Sequence, residues 1–370
     1  MGEFLKAFRA LVKMPVGLWL VIGSFSLDAM AYFGVITLMS SYLQDDFGMS
    51  EKASTMPVSA FTMSITLCWM AFGPIAEKMG ARRGMLLALT LSTVGRFAYA
   101  AAVFLGGFGL AIVALGLVSV SIAEGMVQSA AYLGVKQYTD EKTSSMGYAM
   151  LYACMNLVQV PLGPMSSQVR TTADAMHAAG KLSISGFSAV NWMCALITLG
   201  TLVAYFALMT PKRAANMVRP PPPDENHPKK PPLTRVAEFF AGKESPFRDA
   251  RFVFFIFMLL PVRTLFAHQW LTLPKYILRS YSADVADRME WLAESFNPLV
   301  IFVAVPLFTA MTKRFNVYTM MIVGTTVSAA STFLLCVGPS LSMLVAYIFL
   351  FSIGEALWSC LLYTSDAADE

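Results

Sequence analysis

The sequence predicts an all-α, polytopic membrane protein, and three observations carry that prediction. The 370-residue chain is 56% hydrophobic and only 14% charged, whereas soluble domains run at about 45–50% apolar and about 25% charged residues. Its mean hydropathy is +0.60, and apolar runs of about 20 residues, enough to cross about 30 Å of hydrocarbon, recur along it. Lys and Arg gather in alternate loops between those runs, the asymmetry that orients helices across a bilayer.

Ten spans are expected, at 16–42, 57–76, 85–105, 110–132, 146–169, 187–209, 252–277, 291–311, 318–337 and 341–359. The first follows a basic amphipathic lead-in (Lys6, Arg9, Lys13), where no cleavable signal peptide is expected. Between spans two and three lies a short cationic turn containing Gly73, Glu77, Lys78, Gly80, Arg82 and Arg83. Its charges cannot enter hydrocarbon, and its two glycines permit close helix approach and a sharp reversal. The proline run at 220–223, with Lys212, Arg213, Arg219, Lys229, Lys230 and Arg235 around it, reads as a solvated linker. The expected organisation is therefore a first bundle at 1–210, a linker at 211–250 and a second bundle at 251–359.

The N-terminus, the turn at 78–83, the loop at 136–142, the linker and Lys313-Arg314 are basic. The intervening loops are short or mixed (Asp45, Asp46, Glu51; Gly106-Gly107; Asp284, Asp287, Glu290). Alternation places the N-terminus and the linker in the cytoplasm of a cell-membrane protein. Residues 360–370 break the pattern, because an apolar helix gives way to an acidic tail that looks like one reading frame of a transposase sequencing adapter. They are expected to be adapter-derived, on a C-terminally truncated chain.

The five cysteines (Cys68, Cys154, Cys194, Cys336, Cys360) lie in or at the ends of apolar runs and read as packing residues, neither a disulfide framework nor metal ligands. The sequence has no nucleotide-binding glycine loop after a strand and no metal-ligand cluster. An enzyme, a cofactor and a nucleic-acid partner are therefore not expected. The expected partners are a small-molecule solute, protons and the lipid bilayer, with the chain acting as a monomer.

A charge at the centre of a span costs at least about 2.5–3.5 kcal/mol, so each intramembrane ionisable group is a functional candidate. These are Asp28, Arg96, Glu124, Arg263, His268, Glu294 and Glu355. Glu294 reads as near a span entrance, and Arg263 as within snorkelling reach of the cytoplasm. Asp28 and Tyr32 share a face of the first span. Glu124, Gln128, Tyr132 and Lys136 form an i, i+4, i+8, i+12 stripe on the fourth. The stripe fits either a cavity-lining face or a hydrogen-bonding helix seam. Tyr148, Tyr152 and Asn156 repeat the spacing on the fifth span, where aromatic–amide packing and solute contact both remain open. An unpaired Arg96 in mid-span would be costly, so it is expected to pair with Asp28 or Glu124. His268 is expected to line a cavity, where its ordinary pKa near 6.5 would suit a proton site.

The turn from Gly73 to Arg83 resembles the G-x-x-x-D-R-x-G-R-R loop of the major facilitator superfamily, with Glu77 for Asp, Lys78 for Arg and Ala81 for Arg. Further motifs resemble its proton-coupled oligopeptide transporter branch. Asp28-Ala29-Met30-Ala31-Tyr32-Phe33-Gly34 keeps the tyrosine-aromatic-glycine end of E-x-x-E-R-F-x-Y-Y-G, with Phe25 on the first acid and Ala29 on the arginine. Gly134 to Tyr138 and the Tyr148/Tyr152/Asn156 set resemble G-D-Q-F and F-x-x-x-Y-x-x-x-N. The branch's fourth-helix lysine falls on Val127. Phe296-Asn297-Pro298 with Pro306-Leu307-Phe308 resembles N-P…P-L-F, whose prolines should bend that helix. Gly354-Glu355 resembles the start of G-E-x-x-x-S-P, which implies that Glu355 holds a solute amino group.

The resemblance implies the two-bundle major facilitator fold, with about ten of its twelve helices present. It also implies proton-coupled secondary transport of a small organic solute, for which a di- or tripeptide is one candidate, by alternating access. A carrier of the same superfamily for a sugar, drug or amino acid is the alternative, and a non-transporting receptor a more distant one.

Overall fold

Every expected span is mostly helical in the computed structural model, which describes residues 12–141, 143–219, 242, 248–312 and 316–365. Among the described residues there is no strand. Lys6, Arg9, the proline run, Lys313-Arg314 and residues 366–370 lie outside the described residues, as do the side chains of Arg263 and Pro306.

Helix α1 (Val16–Asp45) follows Pro15, whose fixed extended geometry (φ −52°, ψ 144°) sets the chain up to enter a helix. Most of its residues are buried, as befits a helix packed against several others. Helix α2 (Glu51–Ala101) starts on Ser50, whose hydroxyl accepts the Ala53 N–H at 3.3 Å. Together with the tight 3₁₀ turn Ala102–Phe108 and α3 (Gly109–Tyr138), it belongs to an 88-residue helical run. Straight, such a run would extend about 130 Å. Gly80 (φ 78°) and Gly106 (φ 51°) instead fold it into three antiparallel passes, using backbone that only glycine adopts readily. The predicted reversal at the cationic turn is thus made by Gly80, while Gly73 provides close packing: a Cβ there would strike the Ser129 hydroxyl of α3.

The fifth expected span differs from its prediction. It forms two helices, α4 (Ser144–Gln159) and α5 (Leu162–Ala178), and runs well past residue 169. Pro161 lacks the N–H to continue the ladder. The break is closed from the opposite bundle, where Ser295 Oγ donates to the Gln159 carbonyl at 3.5 Å and accepts the Gly163 N–H at 3.0 Å. Helix α6 (Gly186–Leu208), capped by Ser185, and the short α7 (Pro211–Ala215) follow. Helix α1 packs against α2, α3, α4 and α6.

After the linker come α8 (Ala250–Leu271), α9 (Leu273–Ser280) and α10 (Ala283–Ala286). A wide π turn, Trp291–Phe296, then runs into α11 (Asn297–Thr312). Pro298 lies two residues beyond the end of that turn, and the widening is where the proline-bent helix was expected to deform. Helix α12 (Val317–Ser331), a 3₁₀ turn and α13 (Leu341–Ser365) complete the described chain. α13 continues six residues past the expected end of its span, into the adapter-like stretch. It packs on α12 and α11, while α4 and α5 meet the second group through α11 and the π turn.

Large apolar side chains such as Phe104, Phe108, Leu115, Phe206, Phe257 and Phe333 are exposed. The buried set includes Asp28, Arg96, Arg170, Glu290 and Glu294. Apolar outside and charged inside is the arrangement hydrocarbon favours. The passes approach closely at small residues. A Cβ on Gly125 would lie 2.6 Å from Trp69 N and 2.7 Å from Cys68 C, both backbone atoms. Gly125→Val should therefore destabilise the detergent-solubilised protein by about 1–3 kcal/mol. Gly200→Ala, with nothing within 4 Å, should leave its melting temperature unchanged, and equal melting of the two variants would refute the close-packing argument.

Candidate functional site

Two polar centres occupy the interior. The first joins four helices around Arg96, which is 1% exposed. Its Nη1 donates to Asp28 Oδ1 at 2.6 Å and to Thr198 Oγ1 at 2.5 Å, and its Nη2 donates to Glu124 Oε1 at 2.7 Å and to the Asp28 carbonyl at 3.2 Å. Ser92 Oγ also donates to Asp28 Oδ1, at 3.1 Å. The pairing expected with Asp28 or Glu124 is made with both. With one guanidinium against two carboxyl groups, the cluster is neutral when one of the two carries a proton.

The second centre is a cavity of about 510 Å³ between the two groups of helices. Tyr32, Phe33 and Thr37 reach it from α1, and Tyr152 and Asn156 from α4. On the other side are Gln269 and Trp270 of α8, Glu294 of the π turn, Asn297 of α11, and Glu355 and Trp358 of α13. Asn297 Nδ2 donates to Glu355 Oε2 at 2.9 Å and to Ser352 Oγ at 2.9 Å, which fixes the Glu355 carboxylate beside the proline-adjacent turn. Phe33 meets Trp270 edge-on across the bundles, with ring centroids 5.4 Å apart. The volume suits a small organic molecule.

Tyr32, Tyr152, Asn156, Asn297 and Glu355 thus meet around one cavity, while Asp28, Arg96 and Glu124 form the separate charged cluster. Others expected to line a cavity lie elsewhere. Tyr148 stacks on Tyr132 at 5.4 Å, and its hydroxyl is 3.5 Å from the Tyr132 carbonyl. The stripe on α3 does not reach the cavity: Glu124 turns to Arg96, Gln128 is half-buried away from the lining, and Lys136 is exposed. Glu124 bonds across to Arg96 of α2, a contact of the kind a helix seam makes. His268 is also displaced. It is exposed, and its Nδ1 lies 2.7 Å from the Thr272 hydroxyl of the following turn. Gln269 and Trp270 hold the cavity face, and one residue turns a helical side chain by about 100°. In the cationic turn, Arg82 Nε donates to the Met209 carbonyl at 2.6 Å, while Glu77, Lys78 and Arg83 are exposed.

Three acidic or basic groups carry more than the sequence suggested. Glu294, read as near an entrance, is 4% exposed and lines the cavity. Its separation of three residues from Asn297, one helical turn, was the available signal. Arg170 and Glu290 form a buried ion pair that joins α5 to the opposite group of helices.

Comparison with curated protein sequences finds no match. Solved structures do match in fold. A POT family transporter in complex with 5-aminolevulinic acid superposes with a TM-score of 0.71 at 14% identity, covering 96% of this chain and 84% of that one. A bacterial homologue of the human drug peptide transporters PepT1 and PepT2 gives 0.71 at 15% identity, covering 93% and 82%. The peptide transporter POT in complex with sulfate gives 0.67 at 16% identity, covering 93% and 80%. The Major Facilitator Superfamily family model matches residues 20–282. That match takes in well over half of the 370 residues, and so the chain belongs to the major facilitator superfamily.

Proposed function

We propose that this protein is a proton-coupled carrier of small organic solutes of the peptide-transporter kind, working by alternating access. Superfamily membership makes it a multi-pass membrane transporter rather than an enzyme. The observation that carries the finer reading is the pairing of a solute-sized cavity, with Glu355 held by Asn297, and a separate cluster of two carboxylates on one arginine. In this reading Glu355 takes the solute's amino group. The Asp28–Arg96–Glu124 cluster takes the proton, which releases one arm of Arg96 and loosens four helices at once. The chain acts as a monomer with its N-terminus in the cytoplasm.

The test is uptake of labelled alanylalanine into proteoliposomes under an imposed pH gradient. Collapsing the gradient should abolish accumulation, and Glu355→Gln should lower the initial rate at least about tenfold, as for loss of a charge-assisted contact. Accumulation that ignores the gradient would overturn the coupling, and undiminished uptake by the variant would remove Glu355 from the site.

A further inference from the structure

Helix α6 carries a row of buried polar side chains that the reading above leaves unused. Ser188, Asn191 and Thr198 fall at helical spacing on one face, and none is more than 1% exposed. Thr198 is satisfied, between Arg96 Nη1 and the Cys194 carbonyl. Among the described residues, the Ser188 hydroxyl and both polar side-chain atoms of Asn191 have no hydrogen-bond partner.

The neighbouring helices turn further orphans to the same seam. On α2, one turn beyond Arg96, Tyr99 is 1% exposed and its hydroxyl is unpartnered. Its carbonyl accepts the Tyr42 hydroxyl of α1 at 3.1 Å, and the Tyr42 phenol lies beside Ser188. The Tyr99 phenol is within electrostatic reach of Asp46 on one side and Cys194 on the other, and Cys194 of Arg96. Arg96 Nε and Asp28 Oδ2 are also without a partner, although Asp28 Oδ1 accepts from both Arg96 and Ser92.

These groups form a file from Asp46, past Ser188, Asn191 and Tyr99, to Asp28. None of those three lines the solute cavity. At the mouth, half-buried Asp46 accepts the Ser185 hydroxyl at 2.6 Å on its Oδ2. Burial raises its pKa above the ordinary aspartate value and Asp45 adds to that, against the Ser185 bond and His177. Asn191 and Thr198 stand two helical turns apart, about 10 Å along the axis, which is too far for one direct bond. Buried polar groups without a protein partner are the ones that ordered interior water satisfies.

We propose that this seam of α1, α2 and α6 holds a chain of ordered waters, which carries protons from Asp46 to the Asp28–Arg96–Glu124 cluster apart from the solute cavity. Each water, and the Tyr99 hydroxyl, accepts a proton on one side and releases one on the other. The proton ends on Asp28 Oδ2, the carboxylate oxygen that Arg96 leaves free, and Asn191 is a positioning residue for the water. The proposal rests on the cluster being the proton site, as read above.

Two measurements on the full chain test it. X-ray hydroxyl-radical footprinting in detergent labels buried side chains that touch ordered water. Tyr99 should be labelled at least about tenfold faster than Tyr138, which is as deeply buried but has its hydroxyl bonded to the Ala214 carbonyl. Asn191→Leu should remove most of that difference, and Asn191→Ser should keep part of it. In proteoliposomes, Asn191→Leu should lower gradient-driven uptake of alanylalanine at least about tenfold more than it lowers counterflow at equal pH, where the cluster protonates before solute is added. Tyr99 labelled no faster than Tyr138, undiminished driven uptake, or an equal loss in driven uptake and counterflow would each overturn the proposal. Should Asn191→Leu fail to fold, the wild-type labelling and Asn191→Ser decide. The coupling reading fails separately, if wild type accumulates no solute under a gradient although Tyr99 is labelled; the seam then holds water but carries no coupled proton.

Discussion

Replacing Arg96 with alanine should abolish gradient-driven uptake and sharply lower the melting temperature, and neutralising its two partners should restore the stability without the coupling. Arg96→Ala leaves Asp28, which is fully buried, and Glu124 without their common counter-charge. Breaking a buried pair by removing one partner costs about 3–5 kcal/mol, mostly for the charge left behind. Adding Asp28→Asn removes one of the two stranded charges and should recover some of the loss. Adding Glu124→Gln as well should recover most of it, because a buried cluster replaced as a whole by neutral groups is often close to neutral in stability. Thermal melting in detergent reads that series, and uptake under a pH gradient reads coupling in the same proteins. A merely structural cluster would give a triple variant that is stable and still gradient-driven, and that result would remove the cluster from the proton path. A double variant no better than Arg96→Ala alone would deny the Asp28 pair its expected energetic weight.

Much of this arrangement was legible in the sequence, for reasons that differ by element. The spans were visible because hydrocarbon thickness imposes a length, and the reversal at Gly80 because basic residues and glycine coincide there. Arg96 could be assigned partners before any coordinates, since a lone arginine in mid-span is too costly to stand and only a few acids share its depth. Other features escaped for equally physical causes. His268 and Gln269 are neighbours in sequence, but helical phase sends one outward and the other into the cavity. Glu294 shares a helix face with Asn297, but its place near the start of an expected span read as an entrance, and the π turn that carries it holds it buried instead. Arg170 lay one residue beyond an apolar window that ended at 169, and the second half of its broken span is barely hydrophobic because its polar face meets protein instead of lipid.

That polar face leads to the second large effect, expected from Glu290→Gln. Arg170 Nε is hydrogen-bonded to Glu290 Oε1, and its Nη2 donates to Glu290 Oε2 at 3.2 Å. Nη2 also reaches the Ala286 and Asp287 carbonyls at 3.4 and 3.5 Å, and the guanidinium lies 5.7 Å from the centre of the Phe187 ring. Ser167 Oγ adds a bond to the Asp287 carbonyl at 2.5 Å. Arg170 is 7% exposed and Glu290 fully buried, so this pair is desolvated. The ion pair Glu51–Arg279 at 2.7 Å joins the two groups of helices as well, but both its side chains are about half exposed, so water and salt screen it and it adds little. Removing the Glu290 charge leaves buried Arg170 with only the half-exposed Asp174 carboxylate, 3.9 Å away, and does so only while the two groups are closed here, since opening returns the guanidinium to water. The cost, about 3–5 kcal/mol at most, therefore falls on the closed state and shifts the equilibrium toward opening at this end. Spin labels at Lys52→Cys and Asp284→Cys, on a background without the native cysteines, should show a single short distance with Glu290 intact. They should show an added, longer population with Glu290→Gln, and no such change with Glu51→Gln. Identical distance distributions in folded wild-type and Glu290→Gln protein would mean that the buried pair holds the fold without biasing its opening.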